Sequence, residues 1–370
     1  MNYVRIFFQK LKIGVDERHC RWYMVRMEEE PLKRLSTSIF KAAGASNQEA
    51  KVVSEILVAT SLHGVDSHGV RSIPMYINWI KEGRLKTKAK ITVLKETETT
   101  AMLDDGGGFG FLAGKKAMEM AISKAKKYKM GSVGVKGPGH IGALYYYSMM
   151  AVKKNLIGIT LCRGGGHGAA PYGAVEGRLG INPLCIAIPS MNEKPIVLDM
   201  ATTVVAMGHI DVMSVRGQKI PDGWLIKKDG TWSNDPTAVR KGEAAPVGFG
   251  FPYSEYKGYG LSVIVEALAG GIGSGCSLDE KGFGHVFTAI DPAGYCPIGQ
   301  FKKRIDSMIR HIKSAEKRPG FKDILLPGEP EWNEEERRKK EGILVDDIWW
   351  ADILKVAKEL NVDTEKVIKG

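Results

Sequence analysis

The sequence predicts an α/β fold: a mixed sheet flanked by helices, not a Rossmann fold, plus a helical domain formed by both chain ends. Three observations carry this. Short apolar runs of strand length recur through the middle of the chain. Several follow one another with no helix between them, which a doubly wound parallel sheet does not allow. Helical periodicity at both ends flanks this sheet-rich middle.

Residues 1–27 are basic and lack helical periodicity. Arg5, Gln9 and Lys10 interrupt any signal-peptide core, and no small-residue cleavage site follows. This stretch reads as a disordered or non-native extension, with order beginning near Pro31 and residues 1–26 dispensable. Leu32, Leu35 and Ile39 recur at helical spacing up to Gly44. Ser46 and Glu49 make a capping box for a helix carrying Val53, Ile56, Leu57 and Thr60 on one face. Glycines break that helix across residues 63–69, and another helix covers 74–80. Residues 91–94 and 100–103 read as strands. Met118, Ala121, Ile122 and Ala125 mark a helix. Strands follow at 133–136, 157–162, 184–188 and 196–198, then a buried helix over 261–268 and a strand at 285–290. In the tail, Glu335 with Lys339 and Glu336 with Lys340 give the i,i+4 pattern of an exposed helix. Asp346 caps a last helix with Trp349, Ile353, Val356 and Leu360 inward. The expected division is therefore a helical domain from 28–90 with 300–370, and a mixed-sheet cofactor and substrate domain over 91–299.

No run approaches the about 20 apolar residues that span a membrane. The five cysteines are scattered without a C-x-x-C pair, which points to a reducing cytoplasm and away from a disulfide framework or zinc knuckle. The net charge of +11 suits either nucleic acid or anionic small molecules. The positive residues are dispersed, and no helix-turn-helix, zinc-finger or RNP-type motif is present. The expectation is a small-molecule substrate, with neither nucleic acid nor membrane as partner.

The most informative segment is Gly137-Pro138-Gly139-His140-Ile141-Gly142, between a strand and a helix. It spells G-x-G-x-x-G, but a dinucleotide-binding turn has no need of an imidazole. The carboxylate expected roughly 20 residues on is replaced by Leu161-Cys162-Arg163. A histidine on a flexible strand-end loop suits acid–base chemistry better than a phosphate cradle. Asp66-Ser67-His68-Gly69 places a second histidine on a loop. Local sequence leaves it equally a helix C-terminal cap or a catalytic group. A metal site with His63 is disfavoured, since the i,i+5 spacing misaligns the two rings. Arg71 reads as a surface arginine or as a partner for a carboxylate. The glycine-rich run 163–180, with His167, reads as a solvated loop or a ligand-lining one. Asp199 reads as a helix cap or as a partner for a ribose hydroxyl. Lys257 and Gly258 open an apolar helix, a plausible anion site. Leu326-Pro327-Gly328-Glu329 reads as a turn.

Taken in order, these segments resemble one family. They are D-S-H-G-V with a proline and a tyrosine following; G-H-x-G before a tyrosine-rich helix; P-x-G-x-x-E-x-x-x-G-x-N-P; L-D-M-A-T-T; K-G-Y-G-L; L-P-G-E; and G-I-x-V-D-D. The chain resembles the malate/L-sulfolactate/ureidoglycolate dehydrogenase-like family of non-Rossmann NAD(P)-dependent oxidoreductases, over roughly residues 30 to 362. The resemblance implies a homodimer and cofactor binding without the G-x-G-x-x-G fingerprint. It implies His140 as catalytic acid/base and His68 as the second active-site histidine. Asp199, Met200, Ala201, Lys257 and Gly258 match cofactor-contacting positions, and Pro327, Gly328 and Glu329 a further cofactor turn. Around the substrate the expected residues are Arg71, Ser72 and Tyr76. Here the chain departs from the family, which usually has an arginine where this chain has Ser72, with Arg71 adjacent. It also reads Gly208-His209-Ile210 for the usual G-K-I, and Gly137-Pro138-Gly139 for an asparagine-rich stretch. The expected reaction is hydride transfer between NAD or NADP and a small 2-hydroxy/2-oxo acid. The alternatives are reduction of a cyclic imine carboxylic acid or, from another class, nucleic-acid binding on an inactive scaffold.

Overall fold

In a computed structural model of the chain, residues 24–369 are described except 138, 165, 167 and 275–281. They divide into two compact units. One is built from the chain ends, up to Lys88 and from Leu325 onwards; the other spans Ala89–Ile324.

The first element is a strand, β1 (Met24–Met27). Helix α1 (Glu29–Ala42) buries Leu32, Leu35, Ile39 and Phe40. Helix α2 (Asn47–Leu62) starts in the capping box that the sequence shows. The Ser46 hydroxyl accepts the Glu49 amide, and the Glu49 carboxylate accepts the Ser46 amide. Glu49 also accepts the Lys88 amide at 2.7 Å, so one carboxylate ties the helix start to the end of the segment. Two 3-10 turns, Asp66–His68 and Val70–Ser72, lead into α3 (Ile73–Lys81).

The second unit holds a seven-stranded sheet. Its elements are β2 (Thr92–Glu96), β3 (Thr100–Asp104), α4 (Gly110–Tyr128), β4 (Met130–Gly137), α5 (Tyr145–Val152), β5 (Ile157–Arg163), β6 (Leu184–Ile188) and β7 (Ile196–Met200). There follow α6 (Met207–Val215), β8 (Leu225–Lys227), β9 (Trp232–Ser233), β10 (Ala244–Pro246), α7 (Glu255–Val265), β11 (Phe283–Ile290) and α8 (Ile298–Lys313). The strand order is β2-β3-β4-β11-β5-β6-β7. Only β3 and β4, joined through α4, are parallel; the other pairs are antiparallel. This is the mixed sheet that consecutive strand signals predict. Helix α4 buries Ala117, Met118, Ala121, Ile122 and Ala125. The three-stranded sheet β10-β8-β9 is not foreseen by the sequence reading; its strands are three residues or shorter, too brief to show alternation.

Two expectations are corrected here. Helix α7 continues as a π-helix over Glu266–Ser274, and the stretch is buried on one face only, through Ser262, Val265 and Ala269. Ile264, Leu268 and Ile272 are 54%, 45% and 52% exposed, because an all-round apolar sequence does not say which faces are covered. Helix α8, expected in the helical domain, belongs to the sheet unit. Its buried Asp306 accepts the amides of Met191 and Asn192, both at 2.9 Å, which fastens it to the turn between β6 and β7.

The chain ends on α9 (Glu329–Glu341), β12 (Ile343–Asp346), α10 (Asp347–Glu359) and α11 (Thr364–Lys369). Asp346 caps α10 as the sequence indicates, accepting the Ile348 amide. Strand β12 pairs antiparallel with β1, from Met24 opposite Asp346 to Met27 opposite Ile343. Order therefore begins before Pro31, and Met24–Met27 is part of the fold rather than an extension. Residues 1–23 lie outside the described residues. No helix among the described residues is long and apolar enough to cross a membrane.

Candidate active site

His140 sits where β4 gives way to α5. Strand β4 ends at Gly137 with φ +147, a conformation that side-chain-bearing residues rarely take. The Gly142 amide donates to His140 Nδ1 at 3.2 Å, so the neutral ring carries its proton on Nε2. The imidazole is only partly exposed. Burial, with neighbouring His285 second, lowers its pKa to about 4. The Phe283 ring meets it edge-on at 5.5 Å.

Two residues that sequence reasoning passed over act on this loop. Asp105, buried after β3, accepts the Gly139 amide at 3.0 Å and the Gly107 amide at 2.8 Å. Burial raises its carboxyl to about 6 against those two bonds, with Asp104 adding to the rise. His285 on β11 donates from Nε2 to the Gly139 carbonyl at 3.0 Å.

The segments carrying Asp199 and Lys257 join the same neighbourhood. Asp199 at the end of β7 accepts the Tyr145 amide at 2.8 Å. It thus caps α5, the helix after His140, rather than one following itself. Past Met200 and Ala201, the Thr202 carbonyl accepts the Phe249 amide at 3.1 Å, and the Phe249 carbonyl accepts the Gly258 amide at 3.3 Å. These backbone bonds place the 199–201 strand end beside the start of α7. Gly258 has a packing reason to be glycine: a Cβ there would lie 2.2 Å from the Phe249 nitrogen. Lys257 is exposed, with its ammonium 6.0 Å from the Tyr256 ring centroid. Below this edge, Arg163 bonds Glu266 at 2.7 Å, and Asn182 bonds the same carboxylate at 2.8 Å, fixing the start of the π-helix. His167 lies outside the described residues.

In the helical unit, His68, Arg71 and Ser72 share one loop. His68 Nδ1 meets the Ser67 hydroxyl at 2.8 Å. The Arg71 guanidinium donates to the Ser67 carbonyl at 3.0 Å and lies over the Trp349 ring. Ser72 is buried. Tyr76 is 1% exposed and packs edge-on to Trp79. The loop is anchored by Arg338 of α9, which bonds Asp66 through both terminal nitrogens, the Ser61 carbonyl and Glu334. Reading α9 as an exposed helix missed this inward arginine; the Glu335–Lys339 pair is present as expected. Pro327, Gly328 and Glu329 form the start of α9, with Gly328 at φ +93 and Glu329 accepting the Leu326 amide. His63, buried, bonds Glu335 at 2.9 Å rather than His68. Among the described residues no group of three or more His, Cys, Asp or Glu is arranged to hold a metal.

Comparison with known proteins places the chain among the 2-hydroxy acid dehydrogenases. The sequence profile described as malate/L-lactate dehydrogenase matches residues 27–354, and the chain belongs to that family. It is 35% identical over 367 residues to a malate dehydrogenase of Pyrococcus abyssi, covering 96% of this chain and 98% of that protein. It is 34% identical over 352 residues to an L-sulfolactate dehydrogenase of Methanocaldococcus jannaschii, covering 93% and 99%. The crystal structure of a malate dehydrogenase from Entamoeba histolytica superposes with a TM-score of 0.86 at 29% identity, covering 92% of this chain and 99% of that one.

Proposed function

We propose that the chain interconverts a small 2-hydroxy acid and its 2-oxo acid with NAD or NADP, and that His140 is the acid–base group. The carrying observation is the His140 ring: partly buried, oriented through Nδ1, with its neutral-state proton on Nε2. Such a ring is a hydrogen-bond donor for a carbonyl oxygen. Burial disfavours the imidazolium, while a carboxylate arriving nearby favours it by Coulomb attraction. The second proton goes on Nδ1 and displaces the Gly142 amide. In reduction the ring gives a proton to the nascent alkoxide oxygen; in oxidation it takes that proton back from the hydroxyl.

The sheet edge suits a nicotinamide dinucleotide by donor chemistry. Asp199 offers a carboxylate for a ribose diol, Lys257 an ammonium for a phosphate, and Met200 and Ala201 backbone beside them. When bound, that cofactor supplies or accepts the hydride at the substrate carbon. Pro327, Gly328 and Glu329 enter this reading as a further cofactor turn. His68 is the second active-site histidine. Arg71 takes the substrate carboxylate in place of the arginine that Ser72 replaces, and Arg71→Ala is expected to raise KM for a carboxylate substrate about 10-fold or more. A silent Arg71→Ala on every acid tested moves the anion site elsewhere. The half-exposed apolar residues Ile264, Leu268 and Ile272 support a homodimer as the working state.

The test is a panel of 2-oxo acids and cyclic imine carboxylic acids, with NADH and NADPH absorbance followed. At least one 2-oxo acid is expected to turn over. Turnover confined to cyclic imines, or none at all, overturns the substrate class.

A further inference from the structure

Gly139 is held at both of its backbone groups by buried side chains. Its amide is bonded by Asp105, and its carbonyl by His285. The partners come from 34 and 146 residues away in sequence, on β3's end and on the central strand β11. Holding the N–H fixes the peptide plane before Gly139; holding the C=O fixes the plane after it. That second plane carries the nitrogen of His140. We propose that Asp105 and His285 are positioning residues that set the direction of the His140 ring by clamping Gly139. The inference rests on the reading of His140 as the acid–base group.

Three further observations support the clamp. There is no slack around it: a Cβ on Gly139 would lie 2.5 Å from the Gly110 nitrogen, and one on Gly110 would lie 2.4 Å from the Gly139 carbonyl oxygen. A Cβ on Gly137 would lie 1.9 Å from Asp105 Oδ1. The loop is thus pressed backbone to backbone on the start of α4, and only glycines fit. Next, His285 is 1% exposed, and its Nδ1 has no hydrogen-bond partner among the described residues. A buried polar atom left unbonded is costly, so packing alone does not explain a histidine here. Among the described residues the ring's one hydrogen bond goes to Gly139. Finally, His285 stacks on Phe283 at an interplanar angle of 9°, and Phe283 meets the His140 ring edge-on. The His285 half of the clamp and the ring contact therefore start from the same strand and end on the same imidazole.

A structural role alone predicts lost stability, with activity falling only as folded protein is lost. Positioning predicts lost turnover in folded protein, because a displacement of about 1 Å at a catalytic group costs about 100-fold. The test uses the full chain, with the best substrate from the 2-oxo acid panel. His285→Leu removes the donor; His285→Gln keeps an N–H at similar reach. Expected for His285→Leu is a kcat about 10- to 100-fold lower, with KM and cofactor affinity little changed, and recovery of most of that loss in His285→Gln. Asp105→Asn removes one acceptor at nearly constant shape. It is expected to lower kcat by more than any fall in melting temperature accounts for, and keeps the test open if His285→Leu does not fold. Amide exchange at Gly139, read by NMR on glycine-labelled protein, is expected to speed up in both Asp105→Asn and His285→Leu. Unchanged kcat in these variants overturns the positioning role, and so does equal impairment of Leu and Gln in step with lost stability. His140→Ala in the same assay separates the two ideas. Wild-type turnover there overturns the acid–base reading itself, whereas faster Gly139 exchange reports the clamp whatever the reaction.

Discussion

The two histidine loops are held by different forces. Around His140, Asp105 and neutral His285 bond one glycine's backbone from buried positions. Around His68 the restraint is an ion-pair network: Arg338 to Asp66 and Glu334, with Arg337 also on Glu334. Buried backbone clamps are scarcely screened by salt but depend on protonation. Ion pairs with an exposed partner such as Asp66 are weakened by salt, while Glu334 in the same network is held well below the usual carboxylate range by Arg337. The two loops should therefore fail under different conditions.

The largest effect on the helical side is expected from Arg338→Met. It leaves Asp66 and the Ser61 carbonyl without this donor, while Glu334 keeps Arg337. Because Asp66 is half exposed, the loss should be about 2 kcal/mol, below the range for a fully buried pair. A urea midpoint equal to wild type would show that the network carries no stability.

A smaller loss should follow from starting the chain at Met27. That deletion removes three of the four register pairs between β1 and β12, and with them the Arg26 bonds to Glu341. Roughly 1–2 kcal/mol is at stake, read as a fall of a few degrees in melting temperature. An unchanged melting temperature would return Met24–Met27 to the status of a dispensable extension.

The pH windows sharpen the comparison further. His140 and His285 are held down to about 4 by burial, with His285 adding to the effect at His140. Between about pH 6.5 and 4 the unfolded chain protonates both while the folded chain does not, so their contribution to stability is lost on acidification. Asp105, raised to about 6 by burial, works the other way: the folded protein takes its proton first, and its contribution grows as pH falls through 6. Two groups outweigh one. In the helical unit, Glu334 is lowered to about 2 by its bond to Arg337 against burial, and Glu335 to about 2 because His63 and Lys339 outweigh burial. Their contribution is present above about pH 4.5 and is lost between there and 2. Amide-exchange protection in β4 and β11 should therefore weaken from pH 6.5 to 4, while α2 and α9 hold. Parallel loss in both units over that interval would remove the distinction.

What the sequence reveals follows the same division. The seven strands of the large sheet are legible because apolar runs bounded by glycine and polar residues sit wholly within each element, as in Leu184–Ile188. The His140 loop is legible because glycines bracket it. Asp105 and His285 are not: an aspartate before a glycine turn and a histidine within a strand have no distinctive neighbours, and their role exists only through Gly139's backbone. Arg338 reads as one charge among many in residues 334–341, since which face of α9 is covered depends on a loop 272 residues earlier. Strand β1 escapes notice for a like reason: four residues paired with Ile343–Asp346 carry no pattern of their own.

The central claim is that His140 moves the proton. The direct measurement is His140→Ala on the best 2-oxo acid, with kcat and the cofactor dissociation constant determined on the same protein. The account predicts turnover lower by roughly 100- to 10,000-fold with cofactor binding retained; wild-type turnover with intact cofactor binding would contradict it.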